Sequence, residues 1–271
     1  MRLSGTVALI TGAGGGIGAA MARRFAAEGV AGLCLADIAE PALADLAADL
    51  RTTAGPGLRV LSTRTDVTDE TQVLAMIDQA VGEFGGIDLL CSNAGVATGR
   101  GLDAPDDIWA HTWSVNVLAH IYAARAVVPH MLARGGGYLL NTCSAAGLLT
   151  QPGDAPYAVT KNAAVAFAEW LAVTYGDQGI KVSALCPQGV RTAMLDTGLG
   201  ESHEAARVVA AAGKVLAPEE VADAVVAGLA AEKFLILPHP EVAEYARRKG
   251  ADRDRWLAGM RRLVASLHGQ T

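Results

Sequence analysis

Near its start the chain runs Val7-Ala8-Leu9-Ile10, then Thr11-Gly12-Ala13-Gly14-Gly15-Gly16-Ile17-Gly18, then a helical stretch to Glu28 that Gly29 stops. No other stretch restricts the fold as much. A short apolar run bounded by turn residues reads as a buried strand. A strand that passes through a glycine loop into a helix is the opening unit of a doubly wound sheet. Without Cβ atoms the loop backbone can approach a pyrophosphate closely. The helix behind it supplies free N–H groups and the positive end of its dipole. The spacing is Thr-Gly-x-x-x-Gly-x-Gly, through Gly12, Gly16 and Gly18, rather than the commoner G-x-G-x-x-G. Gly12, Gly16, Ile17 and Gly18 are therefore expected at a dinucleotide's phosphates.

The next strand, Leu33-Cys34-Leu35-Ala36, ends at Asp37, about 20 residues past the loop, where a carboxylate can accept hydrogen bonds from ribose hydroxyls and repel a 2′-phosphate. The competing reading of Asp37 is an N-cap for the helix beginning near Pro41. Ala13 to Ile17 contains no Arg or Lys, and Ile38 follows the acid, so NAD is favoured over NADP. Strand and helix go on alternating. A helix over 41–50 is followed by the Gly55-Pro56-Gly57 turn, a strand over 58–65 and Asp66-Val67. Thr68 or Asp69 caps a helix to Phe84. A strand over 89–92 ends in Asn93-Ala94-Gly95. One long helix over 106–134 contains Asn116, and a strand over 138–143 leaves Ser144 at its C-terminal end. This order predicts an α/β, Rossmann-type doubly wound parallel sheet, with ligands along the C-terminal strand edge. No low-complexity linker divides residues 1–271, so a single domain is expected, and 51% hydrophobic residues supply its core.

Composition excludes several alternatives. Net charge is −6 with no basic patch, which argues against a nucleic-acid partner. No apolar run approaches the ~18 residues of a membrane span, and Val7 to Ile10 is too short for a leader core, so a cytoplasmic protein is expected. The histidines show no metal spacing, and no metal site is expected. Cys34, Cys91, Cys143 and Cys186 lie far apart in or beside strands and read as small core residues.

Tyr157-Ala158-Val159-Thr160-Lys161 places a phenol and an ammonium one turn apart on a helix. A nearby ammonium favours the phenolate, so the pair suits proton transfer near neutral pH. Alone this spacing is common. Together with the glycine loop, Asp66, Asn93-Ala94-Gly95, Asn116, Ser144 and Pro187-x-x-Val190-x-Thr192 it resembles the short-chain dehydrogenase/reductase family along nearly the whole chain. One departure is Gln188, where the family commonly has glycine after the proline. The resemblance implies Tyr157 as general base or acid and Ser144 as the holder of the substrate oxygen. It gives Lys161 two tasks, lowering the tyrosine pKa and binding the nicotinamide ribose, and Asn116 the anchoring of a relay water. Asp66 and Val67 would contact adenine, Asn93, Ala94 and Gly95 the cofactor's middle, and Pro187, Val190 and Thr192 its pyrophosphate or amide end.

The implied activity is interconversion of a secondary alcohol and its ketone with NAD. An epimerase or dehydratase with bound NAD, and a non-catalytic nucleotide sensor, are the other readings. Residues 188–217 are expected to form a loose lid. Val96, Leu148, Leu149, Met194, Leu195 and Leu199 would line an apolar substrate pocket. The helix after Tyr157 is apolar nearly all round, which suggests a homo-oligomer, dimer or tetramer. A last strand is expected over 234–237, then a helical tail over 240–271. Trp256, Leu257, Met260, Leu263, Val264 and Leu267 form a helical stripe along that tail, to be buried on a subunit contact or over the pocket.

Overall fold

The computed structural model describes residues 1–55 and 57–268, and of Leu267 and His268 the backbone alone. Pro56 of the expected turn and the Leu267 side chain of the tail stripe therefore lie outside the described residues.

Seven parallel strands form one sheet in the order β3-β2-β1-β4-β5-β6-β7. They are β1 (Val7–Thr11), β2 (Gly32–Asp37), β3 (Arg59–Arg64), β4 (Leu89–Ser92), β5 (Gly137–Thr142), β6 (Ile180–Leu185) and β7 (Leu235–Ile236). The order reverses between β1 and β4, so the crevice for a ligand opens there, above the C-terminal strand ends. Helices α1 (Gly16–Ala27), α2 (Glu40–Thr53) and α10 (Pro218–Ala230) cover one face. Helices α3 (Glu70–Phe84), α5 (Ala119–Ala133) and α7 (Ala155–Tyr175) cover the other. Strand alternation feeds both cores: Ala8 and Ile10 face α1, whereas Leu9 faces α3 and α5. All four cysteines are buried and free.

Asp69, rather than Thr68, caps α3, its carboxylate accepting from the amides of Thr71 and Gln72. The expected helix over 106–134 is interrupted. Helix α4 (Asp106–Trp113) passes into α5 through a π-helical turn over Ser114–Leu118, and Asn116 sits inside that turn. Such single wide turns occur at functional sites. The region read as a loose lid is helical, with α8 (Ala193–Gly200) and α9 (Glu204–Ala211). The glycines of α8 and the shortness of both helices obscured the pattern, since eight residues give only about two turns to read. The short α6 (Ala145–Leu149) follows Ser144, and the tail forms α11 (Glu241–Ala251) and α12 (Arg253–His268). No helix among the described residues is long and apolar enough to cross a membrane.

Candidate active site

A cavity of about 880 Å³ lies over the strand ends. It runs from Asp37, Ile38, Asp66 and Val67 past Gly12, Gly16 and Ile17 to Ser144, Tyr157 and Lys161. The glycines give it its floor. Gly12 has φ +65°, and a Cβ there would come within 2.8 Å of the Ala94 backbone. A Cβ on Gly18 would meet the Gly12 carbonyl at 2.1 Å, so only glycine lets α1 start this close to the loop. The first turn of α1 has no side-chain cap and no acid, which leaves its amides free to face an anion. Asp37 Oδ2 accepts from the Gly14 amide at 2.8 Å and Oδ1 from the Ala39 amide at 2.9 Å. The carboxylate is thus fixed at the edge of the glycine loop. An uncapped helix end, a floor without side chains and a carboxylate at the β2 end suit a dinucleotide.

Asn93 ties the middle of the cavity. Its amide donates to the Thr11 and Gly12 carbonyls, and its oxygen accepts from Thr142 Oγ1 at 3.1 Å. Three strand ends are thereby held in register. Asp66 is held in turn by the Thr68 amide and hydroxyl. Pro187, Val190 and Thr192 line the far side with Gly95. At the departure, Gln188, the backbone N–H donates to His239 Nδ1 at 3.1 Å, and His239 Nε2 donates to the Lys214 carbonyl at 3.0 Å, while the buried Gln188 side-chain oxygen has no hydrogen-bond partner among the described residues. His239 is buried in the loop after β7, so the backbone at position 188 is anchored from there, a bond that a glycine would make equally well.

Ser144, Tyr157 and Lys161 come together where β5 gives way to α6 and α7 packs across. Ser144 is the N-cap of α6, its hydroxyl accepting from the Ala146 amide at 3.1 Å, and it also hydrogen-bonds the Tyr157 phenol. Lys161 is buried and donates from Nζ to the Thr142 carbonyl at 3.0 Å. Its Nζ lies 5.7 Å from the Tyr157 ring centre. The expected lowering of the tyrosine pKa by Lys161 is not seen in the protein by itself. Burial pushes the Tyr157 phenol up to about 12, the Ser144 hydrogen bond opposes this, and the Asp154 carboxylate reinforces it. Desolvation disfavours the phenolate and is the largest of these effects. Burial also lowers the pKa of Lys161.

Asn116 is fully buried, and its side chain is engaged on both sides. Oδ1 accepts from the Val96 amide at 2.9 Å, while Nδ2 donates to the Val96 carbonyl and to Thr160 Oγ1. The side chain thus fixes the start of the 96–100 wall to α7. Asp154, which the sequence reading missed, holds the other end of that wall. This buried carboxylate accepts from the Tyr157 amide (3.0 Å), the Thr98 hydroxyl (2.8 Å), and the Thr98 and Gly99 amides (both 2.7 Å). An aspartate two residues before Pro156 is a legible helix start, and that was the available signal.

Of the expected substrate-lining residues, Val96, Met194 and Leu195 face the cavity. Leu148, Leu149 and Leu199 do not. Leu149 is buried with Val242 beneath the tail, Leu148 packs against the same cluster, and Leu199 is exposed on α8. The one-turn helix α6 directs its leucines away from Tyr157, onto α11 and α12. In their place the cavity gains Val115, Val209, His111, Gln151, Glu201 and His203.

Comparison with known proteins agrees with this geometry. Residues 6–201 match the family model described as short chain dehydrogenase, which leaves α9 to α12 outside the matched segment. The chain is 36% identical over 233 residues to the meso-2,3-butanediol dehydrogenase of Serratia marcescens, covering 86% of this chain and 90% of that one. A short chain dehydrogenase/reductase from Burkholderia phymatum, solved with NAD, superposes with a TM-score of 0.84 at 33% identity, over 94% of this chain and 96% of that one. L-sorbose reductase from Gluconobacter frateurii, solved with NADPH and L-sorbose, gives 0.77 at 28% identity, over 88% and 95%.

Proposed function

We propose, from the premise that the chain belongs to the short-chain dehydrogenase family and is one of its oxidoreductases, that it interconverts a secondary alcohol and its ketone with NAD. The observation that carries this reading is the convergence of Ser144, Tyr157 and Lys161 at one end of a cavity whose other end is built of Gly12, Gly16 and Asp37.

The nicotinamide, when bound, accepts a hydride from the alcohol carbon or returns it to the ketone. The protein must then manage the hydroxyl proton. Ser144 Oγ and Tyr157 Oη hold the substrate oxygen. Tyr157 takes the proton as the carbonyl forms and gives it back in reduction. Lys161, short of water and bonded to one backbone carbonyl, keeps two N–H groups for the phenolate side and for a ribose hydroxyl. Val96, Met194 and Leu195 give the substrate apolar flanks. Asp37 favours NAD, because a 2′-phosphate would stand against a carboxylate already fixed by two backbone amides.

A homo-oligomer is part of the same reading. On α7, Trp170 is 54% exposed and Val173 86%, beside a stack of Phe167 on Trp170. Such a patch on one helix fits burial against a second copy. Light scattering should give a dimer or tetramer, and a monomer would defeat this part. The test of the activity is a panel of secondary alcohols and ketones followed by NADH absorbance. Net turnover of added NAD supports it. Conversion of substrate with no change in added NAD would place the chain with the epimerases or dehydratases that recycle a bound cofactor.

A further inference from the structure

The α6 helix is a single turn, and it carries Ser144 at its head. A helix this short cannot satisfy its own terminal carbonyls. Here the tail does so. Lys249 Nζ of α11 donates to the Leu148 carbonyl at 2.7 Å, and Trp256 Nε1 of α12 reaches the Leu149 carbonyl at 3.4 Å. Beneath these bonds Ala145 and Leu149 of α6 are buried with Val242, while Tyr245 and Trp256 pack around them. The tail is itself rooted at the site, because His239 just before α11 bridges Gln188 and Lys214. The opposite side of α6 has no slack. A Cβ on Gly147 would lie 2.4 Å from the Lys161 carbonyl, so α6 sits flush on the backbone of α7. It is therefore gripped between the helix that carries Tyr157 and Lys161 and the tail.

We propose that Lys249, with Trp256 in support, is a positioning residue for Ser144. By holding the α6 carbonyls it keeps the Ser144 hydroxyl against the Tyr157 phenol. The lysine is well chosen for the task, since a cation suits the negative end of a helix. The tail would then act on the chemistry without touching substrate or cofactor.

The experiment compares full-length Lys249→Met, Lys249→Arg and Trp256→Phe with wild type. Methionine keeps the stem and removes the donor, and arginine restores a donor. Hydrogen exchange of the amides over 145–149 is the first readout and does not depend on the proposed activity. The second is kcat with a turned-over alcohol, which rests on that activity. Lys249→Met should exchange these amides about tenfold faster and lower kcat by about three- to tenfold, the size of one lost hydrogen bond at a part-buried site. The KM for NAD should stay within about twofold by the same reasoning, because the cofactor loop keeps its own anchors. Lys249→Arg should recover most of both, and Trp256→Phe should show the smaller effect of its longer bond. Unchanged exchange over 145–149 would overturn the proposal, and so would faster exchange with kcat intact. Exchange that quickens throughout the chain, with kcat and NAD affinity falling together, would mean general destabilisation and overturn it too. A wild type that turns over no alcohol would sink the activity, leaving the exchange result to judge the contact.

Discussion

Replacing Asp154 by Asn tests how the site is held, because it removes a charge while nearly preserving shape. Asp154 Oδ1 accepts from the Tyr157 amide and the Thr98 hydroxyl, and Oδ2 from the Thr98 and Gly99 amides. An asparagine can keep the first pair. Its NH₂ must then face two backbone N–H groups, so two charge-assisted bonds to a buried acceptor are lost and two donors are left opposed. Each such bond is worth about 1.5–3 kcal/mol. Losses in one network are not additive, so the cost should be about 3 kcal/mol. For a chain of this size that lowers Tm by about 6–12 °C. The substitution should also mark the chemistry. The Asp154 charge helps raise the Tyr157 pKa, so removing it should move the acid limb of kcat/KM for alcohol oxidation to lower pH, even as the maximum falls. Urea unfolding and a pH–rate profile read the two effects. Stability within 1 kcal/mol of wild type would refute the clamp, since ~3 kcal/mol is expected from the lost bonds. A limb that stays put or moves to higher pH would refute the electrostatic half.

Other expectations are simpler. Tyr157→Phe should retain NADH binding, followed by fluorescence, while kcat falls by about 10²–10⁴; near wild-type turnover would remove its role. With burial pushing the phenol up to about 12, kcat/KM for oxidation should rise with pH from 7 upward, as the phenolate fraction grows, while reduction stays level. A flat oxidation profile would speak against Tyr157 as the base. Asp37→Ser should raise kcat/KM with NADP relative to NAD by about thirtyfold, the effect of removing about 2 kcal/mol of screened repulsion, and an unchanged ratio would leave Asp37 without its role in cofactor choice. His120 is buried, and burial, then the charge of Lys161, hold its pKa down to about 4. A histidine harder to protonate folded than unfolded keeps stability above its unfolded value of about 6.5 and loses it as pH falls toward 4, by about 3 kcal/mol in all. Urea unfolding between pH 7 and 4 should show that slope, and His120→Leu paired with Asn141→Leu should flatten it.

What was legible in the sequence was local. The β1 run, the glycine loop and the α1 periodicity lie within a few residues of one another, so spacing alone fixes them. The same holds for Tyr157 and Lys161 on one helix face. The sheet follows from the alternation of strands and helices. Less legible were features that depend on distant partners. Nothing around Asn116 announces a π turn, nor its side-chain bonds to Val96 and Thr160, which lie far off in sequence. Leu148 and Leu149 look like pocket residues until α11 and α12 are packed beneath them. The glycines of α8 fit a loop as well as a helix until the segment is placed over the cavity.

The tyrosine shows why motif and mechanism separate. Residue spacing puts Lys161 beside Tyr157, and charge alone says the phenol should be acidic. Enclosure says the opposite, and no local pattern records it, since it is the sum of everything packed around the ring. In this protein enclosure wins. The residues that decide the balance are therefore those that set the walls. Asn116 and Asp154 pin the two ends of the 96–100 segment to α7. Ser144 lends the phenol its one opposing hydrogen bond. With one wall tied to α7 at both ends, Tyr157 cannot shift without carrying that wall with it. Room to adapt to a substrate is left on the opposite side, in α8 and α9, where Met194, Leu195 and His203 meet the cavity. Substitutions there should change which alcohol is accepted, whereas substitutions at Asn116 or Asp154 should change how fast any of them reacts.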